Sequence, residues 1–174
     1  MRDPVAHQRA VGRITRLWRC VAYLGVPVAC AGILLARSFA DFRIEFGVAP
    51  QLGGAVIGVL AALAVAAVLG ARMVGNRMLR PAAMAERART QPAAVNADAS
   101  PLARAEAQIL AGLFLQAAIL DFPGILLLLH SLAFNTDLSA WLAIAYCVLA
   151  FTVMRPDIDR LLRETVQRME RVPG

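Results

Sequence analysis

The chain contains no lysine: all 18 of its basic residues are arginines, a substitution that together with its abundant alanine is the compositional mark of a GC-rich bacterial genome. Cysteine is also scarce. Cys20, Cys30 and Cys147 are odd in number and form no CxxC pair, which excludes a disulfide framework and a cysteine zinc site and leaves small apolar packing residues. With only His7 and His130, no HExxH helix can form, and neither a nucleophile-base motif nor a phosphate-cradling glycine loop occurs. An enzyme is therefore the least favoured class, and no catalytic residue, metal or cofactor is expected. Charged residues make up 17% of the chain against 59% hydrophobic, well above the roughly 45–50% apolar usage of soluble domains.

What the chain has instead is long apolar runs, at 17–36, 52–71, 107–130 and 138–154. About 17–25 residues span the hydrocarbon core as a helix, so these four runs account for most of the 174 residues. A net charge of +6 invites a nucleic-acid reading, but the arginines follow topology. Five occur up to Arg19, two between the first and second runs, six between the second and third, none between the third and fourth, and five after it. Sixteen of 18 thus fall on one side, which is the positive-inside pattern and places the N-terminus, the central loop and the C-terminus in the cytoplasm beside anionic headgroups. The first run contains Pro27 and ends at Ala36-Arg37-Ser38-Phe39 with no small-x-small cleavage pattern, so it reads as a retained helix rather than a secretory signal.

The expected fold is all-α: one polytopic membrane domain over 1–174, a four-helix bundle with both termini inside and amphipathic helices at each end. Before the first span, Arg9, Arg13 and Arg16 oppose Val11, Ile14, Leu17 and Trp18, the pattern of a helix entering from a charged surface. An outer loop over 37–51 is nearly neutral, and Phe39, Phe42 and Phe46 let it lie along the interface. In the second span Gly54, Gly58, Ala62, Ala66 and Gly70 recur every four residues, a stripe on which another backbone can pack closely, within the chain or from another subunit. Pro81 interrupts the helix that follows, and 81–100 reads as a cytoplasmic linker with a short helix around 82–89. Ser100-Pro101 supplies a cap and a first-turn proline. The third and fourth spans are joined by 131–137 alone and form an antiparallel hairpin. A C-terminal amphipathic helix over 156–171 then carries Ile158, Leu161, Leu162, Thr165, Val166 and Met169 at helical spacing.

Asp121 stands near the middle of the third run, where an ionisable side chain costs about 2.5–3.5 kcal/mol if it faces lipid. At 3.6 residues per turn it shares a face with Phe114, Ala117, Ala118, Gly124, Ile125 and Leu128, three of them small, so this face is expected to point into the bundle. No basic residue lies at comparable depth in the other spans. Counted outward from the hairpin turn, Tyr146 lies within roughly 3 Å of the same depth at about 1.5 Å rise per residue, which makes it the candidate hydrogen-bond partner, with Cys147 second. Pro123 frees the Ile119 carbonyl and predicts a kink beside the acid. Gln116, Pro123 and His130, spaced by seven, form a separate stripe about opposite Asp121, with His130 read as an interfacial histidine. Two roles stand open for Asp121: a protonated, hydrogen-bonded acid that fixes helix register, or a group that carries a proton or ion.

The segment Gln116-Ala-Ala-Ile-Leu-Asp121-Phe-Pro123-Gly-Ile-Leu, followed by Val-Met-Arg155-Pro156 and a charged helix, resembles a group of small bacterial four-span membrane proteins of unknown function. In that group the third helix carries a pattern like Ala-Leu-x-Glu-x-Pro and the fourth ends in Arg-Pro before a cytoplasmic tail. The resemblance covers about the last sixty residues, and this chain has Asp for Glu and Phe122 where a small residue is usual. A glycine-rich helix over 54–75, a basic loop with Arg89-Thr-Gln-Pro92 and the acid at Asp121 are also similar to the proteolipid c subunit of rotary ATPases. Here the loop is longer and two further spans flank the hairpin. The resulting expectation is a multi-pass protein of the bacterial inner membrane with the lipid bilayer as its surroundings, no nucleic-acid partner, and a non-enzymatic accessory or assembly role with another membrane protein or a second copy. The alternative is a proton- or ion-coupled transport component working through Asp121.

Overall fold

The computed structural model describes residues 4–44, 52–90 and 100–171. The linker stretch 91–99, Glu45 to Gln51 of the outer loop with Phe46, and the last three residues lie outside them. Among the described residues the elements are all helical: α1 (Pro4–Leu24), α2 (Val26–Ala40), α3 (Leu52–Met78), α4 (Pro81–Thr90), α5 (Pro101–Phe134), α6 (Asp137–Val153) and α7 (Ile158–Arg171).

Local chemistry sets the boundaries. Gly25 has non-helical backbone angles, and Pro27 follows inside the first turn of α2, where its missing N–H costs no helical bond. The second helix runs on to Ala40, four residues into the stretch read as loop, and ends where Asp41 takes a left-handed conformation, φ 48°. Ser100 caps α5 by accepting the Ala103 N–H at 3.3 Å. The turn between α5 and α6 rests on Asn135, φ 51°, whose side-chain amide donates to the Ile44 carbonyl at 2.8 Å and accepts the Ile44 N–H at 3.2 Å. Asn is one of the few residues that adopts this backbone at little cost. Asp157 opens α7, its carboxylate accepting the Arg160 N–H at 3.1 Å.

Three helical stretches are long and apolar enough to cross a membrane: Pro4–Ala40, Gly53–Met78 and Pro101–Phe134. A fourth arises where α6, 17 residues long, is taken with α7 as one span bent by 44°. The 34 residues of α5 make a helix of about 50 Å, longer than the ~30 Å hydrocarbon core. It is also the most enclosed of the three: 44% of its apolar window is buried, against 11% for α3.

The chain gathers into two compact units. Unit 1 comprises residues up to Trp18, from Arg72 to Gln116 and from Arg155 onward. In it α4 packs on α7, and Ile158, Leu162, Thr165 and Val166 form the buried face of α7. Buried His7 donates from Nε2 to Asp159 Oδ1 at 2.7 Å, and Arg13 pairs with Glu106 at 2.8 Å. Arg87 folds back to donate to the Met78 carbonyl, satisfying an acceptor that the end of α3 leaves free. Unit 2 comprises Arg19 to Ala71 and Ala117 to Met154, with α2 packed on α6. Its core includes Cys30, Leu120, Ala143, Cys147 and Phe151.

Candidate functional site

Unit 2 holds two groups of polar side chains. The first surrounds Asp121, which the second turn of this unit's α5 segment presents at a half-buried position. Its neighbours on the same face divide: Ala117 and Gly124 are buried, while Phe114 is 54% and Ile125 43% exposed. The acid thus stands at the edge of the buried face rather than at its centre. The Asp121 Oδ1 atom is buried without a hydrogen-bond partner, and so is the Tyr146 hydroxyl. No hydrogen bond joins the two, although Asp121, Tyr146 and Cys147 lie close enough to act on one another electrostatically. The helices come together tightly here. A Cβ built on Gly124 would lie 2.6 Å from Cys147 Sγ and 3.3 Å from Val26 Cγ1, so only glycine admits α6 and α2 to this part of α5. Pro123, one residue earlier, is fully buried within the continuous α5.

The face of α5 that is enclosed is instead the stripe of Gln116, Pro123 and His130, with Leu113, Leu120 and Leu127 beside it. His130 is 4% exposed, enclosed by the neighbouring helices. Its ring stacks on Phe134 with centroids 4.4 Å apart. Nε2 lies 3.1 Å from the Gly53 carbonyl, and because a carbonyl only accepts, Nε2 carries the proton. In the neutral ring Nδ1 then accepts from Ser139 Oγ at 2.8 Å, and Ser139 in turn accepts from Thr136 Oγ1 at 2.8 Å. The Ser139–His130 contact has the length of a nucleophile–base pair, yet Ser139 is fully buried and the ring is oriented by a carbonyl rather than a carboxylate. The arrangement ties α3, α5 and α6 together.

Arg37 completes this second group. From the last turn of α2 its guanidinium donates to Ser131 Oγ at 3.0 Å, to the Ser131 carbonyl at 2.6 Å and to Asp137 at 2.9 Å, with the side chain only 9% exposed. Ser131 Oγ donates onward to the Thr136 carbonyl at 2.8 Å. An arginine assigned from sequence to a neutral loop is therefore the clasp between α2 and the α5–α6 turn. The readable signal was its place one turn before a helix end, opposite a short turn carrying Ser131 and Asp137.

On α3, Gly54, Gly58, Ala62 and Ala66 are exposed, and a Cβ added at Gly54 or Gly58 would meet nothing within 4 Å. Gly70 is half-buried, and a Cβ built on it would lie 3.9 Å from Ile119 Cγ2. In unit 1 the hydrogen bond from His7, reinforced by Arg163, holds the Asp159 carboxyl below the usual carboxylate range. Among the described residues no group of three or more His, Cys, Asp or Glu side chains is arranged to hold a metal. No protein-family model matches the chain, and neither a curated protein nor a solved structure matches it.

Proposed function

We propose that the chain is a multi-pass protein of a bacterial inner membrane, with four spans and both termini cytoplasmic, acting as a non-enzymatic accessory or assembly component. The observation that carries this reading is the bare small-residue face of α3: Gly54, Gly58, Ala62 and Ala66 are exposed in the single chain, on its most apolar span. Such a face suits close approach of another membrane helix, from a partner protein or a second copy. Its counterpart is the polar group of Arg37, His130, Ser131 and Ser139, whose hydrogen bonds go to one another, to Thr136 and Asp137, and to backbone. The arginine distribution supports the orientation, and the likeness of the Asp121–Pro123 segment to small four-span proteins is in keeping with it. Copurification from native membranes tests the role. A stable complex that is lost in Gly58→Leu and retained in Leu69→Ala supports it; a complex indifferent to both, or a chain recovered alone, refutes it.

A second reading has its own observation: Asp121 Oδ1 and the Tyr146 hydroxyl are both buried and unpartnered on facing helices of unit 2. A carboxyl so placed, with a hydroxyl beside it, suits proton or ion transfer. Flux in proteoliposomes that disappears in Asp121→Asn supports this reading. Flux that survives the substitution counts against it.

A further inference from the structure

In unit 1, α4 and α7 line an open groove of about 580 Å3, a size suited to a small ligand. Ala82, Ala85 and Glu86 line it from α4; Glu164, Gln167, Arg168 and Arg171 line it from α7. The four arginines of α7 divide sharply. Arg160 holds Glu164 at 2.7 Å and Arg163 holds Asp159 at 2.5 Å. Arg168 and Arg171, the two that face the groove, have no ion pair among the described residues, and neither has Glu86 opposite them. Arg87, on the same helix as Glu86, is committed to Met78.

Guanidiniums at i and i+3 sit with Cβ atoms about 5–6 Å apart, close enough to grip one phosphate with paired N–H bonds. A simple anion would meet Glu86 across the groove and be repelled. A ligand that carries its own cation would satisfy all three charges, and the alanines at 82 and 85 leave room for it. We propose that this groove binds a phosphodiester bearing a primary ammonium group, with the phosphate on Arg168 and Arg171 and the ammonium on Glu86. The chemistry is that of a phosphoethanolamine ester, whether it arrives as a lipid headgroup or as a soluble glycerol ester. The lipid source alone rests on the membrane reading above; the ligand chemistry does not.

The full-length chain in phospholipid-free maltoside micelles is titrated calorimetrically with glycerophosphoethanolamine, glycerophosphocholine and glycerophosphoglycerol, and native mass spectrometry counts the corresponding intact lipids retained. The ethanolamine ester is expected to bind best and to weaken with salt. Glu86→Gln should cost about fivefold and bring it level with the glycerol ester. Arg168→Ala should cost about tenfold or more, Arg168→Lys an intermediate amount, and Arg163→Ala, whose partner Asp159 lies outside the groove, nothing. Thermal unfolding of each variant shows whether it is folded, and Arg168→Lys keeps the test open if Arg168→Ala is not. Binding of the soluble ester supports the chemistry from either source, and retention of the intact lipid alone assigns the source to the bilayer. Equal binding of all three headgroups, indifference to Glu86→Gln, or no binding in either measurement overturns the proposal.

Discussion

Gly124→Ala is a sensitive probe of how α5 meets its neighbours, because two opposed effects act on one methyl group. In an exposed helix the change would stabilise by about 1 kcal/mol. Here the new Cβ would lie 2.6 Å from Cys147 Sγ, well inside contact distance, and 3.3 Å from Val26 Cγ1. Cys147 is fully buried and its sulfur is one bond from the backbone-anchored Cβ, so it has little room to swing aside. Overpacking of this kind costs about 1–3 kcal/mol, which outweighs the propensity gain and leaves the variant less stable by about 1 kcal/mol. Removing the sulfur should reverse the sign. In a Cys147→Ala background the same Gly124→Ala change is expected to be neutral or stabilising by up to ~1 kcal/mol, giving a coupling of about 1–2 kcal/mol between the two positions. Unfolding of the four proteins in maltoside, followed by helical circular dichroism during titration with a denaturing detergent, measures the cycle where the transition is two-state. Additivity within about 0.5 kcal/mol would refute the close approach of α5 and α6 at this residue.

Arg37→Ala removes three donors to Ser131 and Asp137 from a nearly buried position and should cost about 2–4 kcal/mol in the same assay, whereas Asp137→Asn, at a carboxylate 60% exposed, should cost less than about 1 kcal/mol. The Asp159 carboxyl is held below its ordinary range, so the stability it lends the contact of α7 with the start of α1 is complete above about pH 4 and is lost as the pH falls through its lower folded value. Fluorescence of Trp18, buried in unit 1, should report that loss in a Trp141→Phe background and should show a smaller acid transition in Asp159→Asn.

Features set by neighbouring residues were legible in the sequence. The short helix expected around 82–89 lies within α4, and Ser100-Pro101 caps α5 as its spacing implied, since both follow from proline geometry and side-chain capping. The apolar runs show as helices because run length is itself the signal. The orientation of α5 was not legible. Periodicity says that Asp121, Ala117 and Gly124 share one face and Gln116, Pro123 and His130 another, but burial depends on which neighbouring helices supply partners. His130 is enclosed because a backbone carbonyl on α3 and a serine on α6 meet its two nitrogens, and neither could be inferred from α5. Arg37 was hidden for the same reason, with its partners 94 and 100 residues away.

That separation shapes the order in which the protein can be made. At about 5–20 residues per second, roughly 5–20 s pass between the synthesis of Arg37 and that of Asp137, 100 residues later. The His7–Asp159 contact waits longer still, over 152 residues. Throughout that interval the guanidinium at the end of α2 has neither Ser131 nor Asp137 to bind. The clasp can therefore close only once the α5–α6 turn has been made, so the Arg37 end of α2 is among the last parts of unit 2 to reach its native contacts.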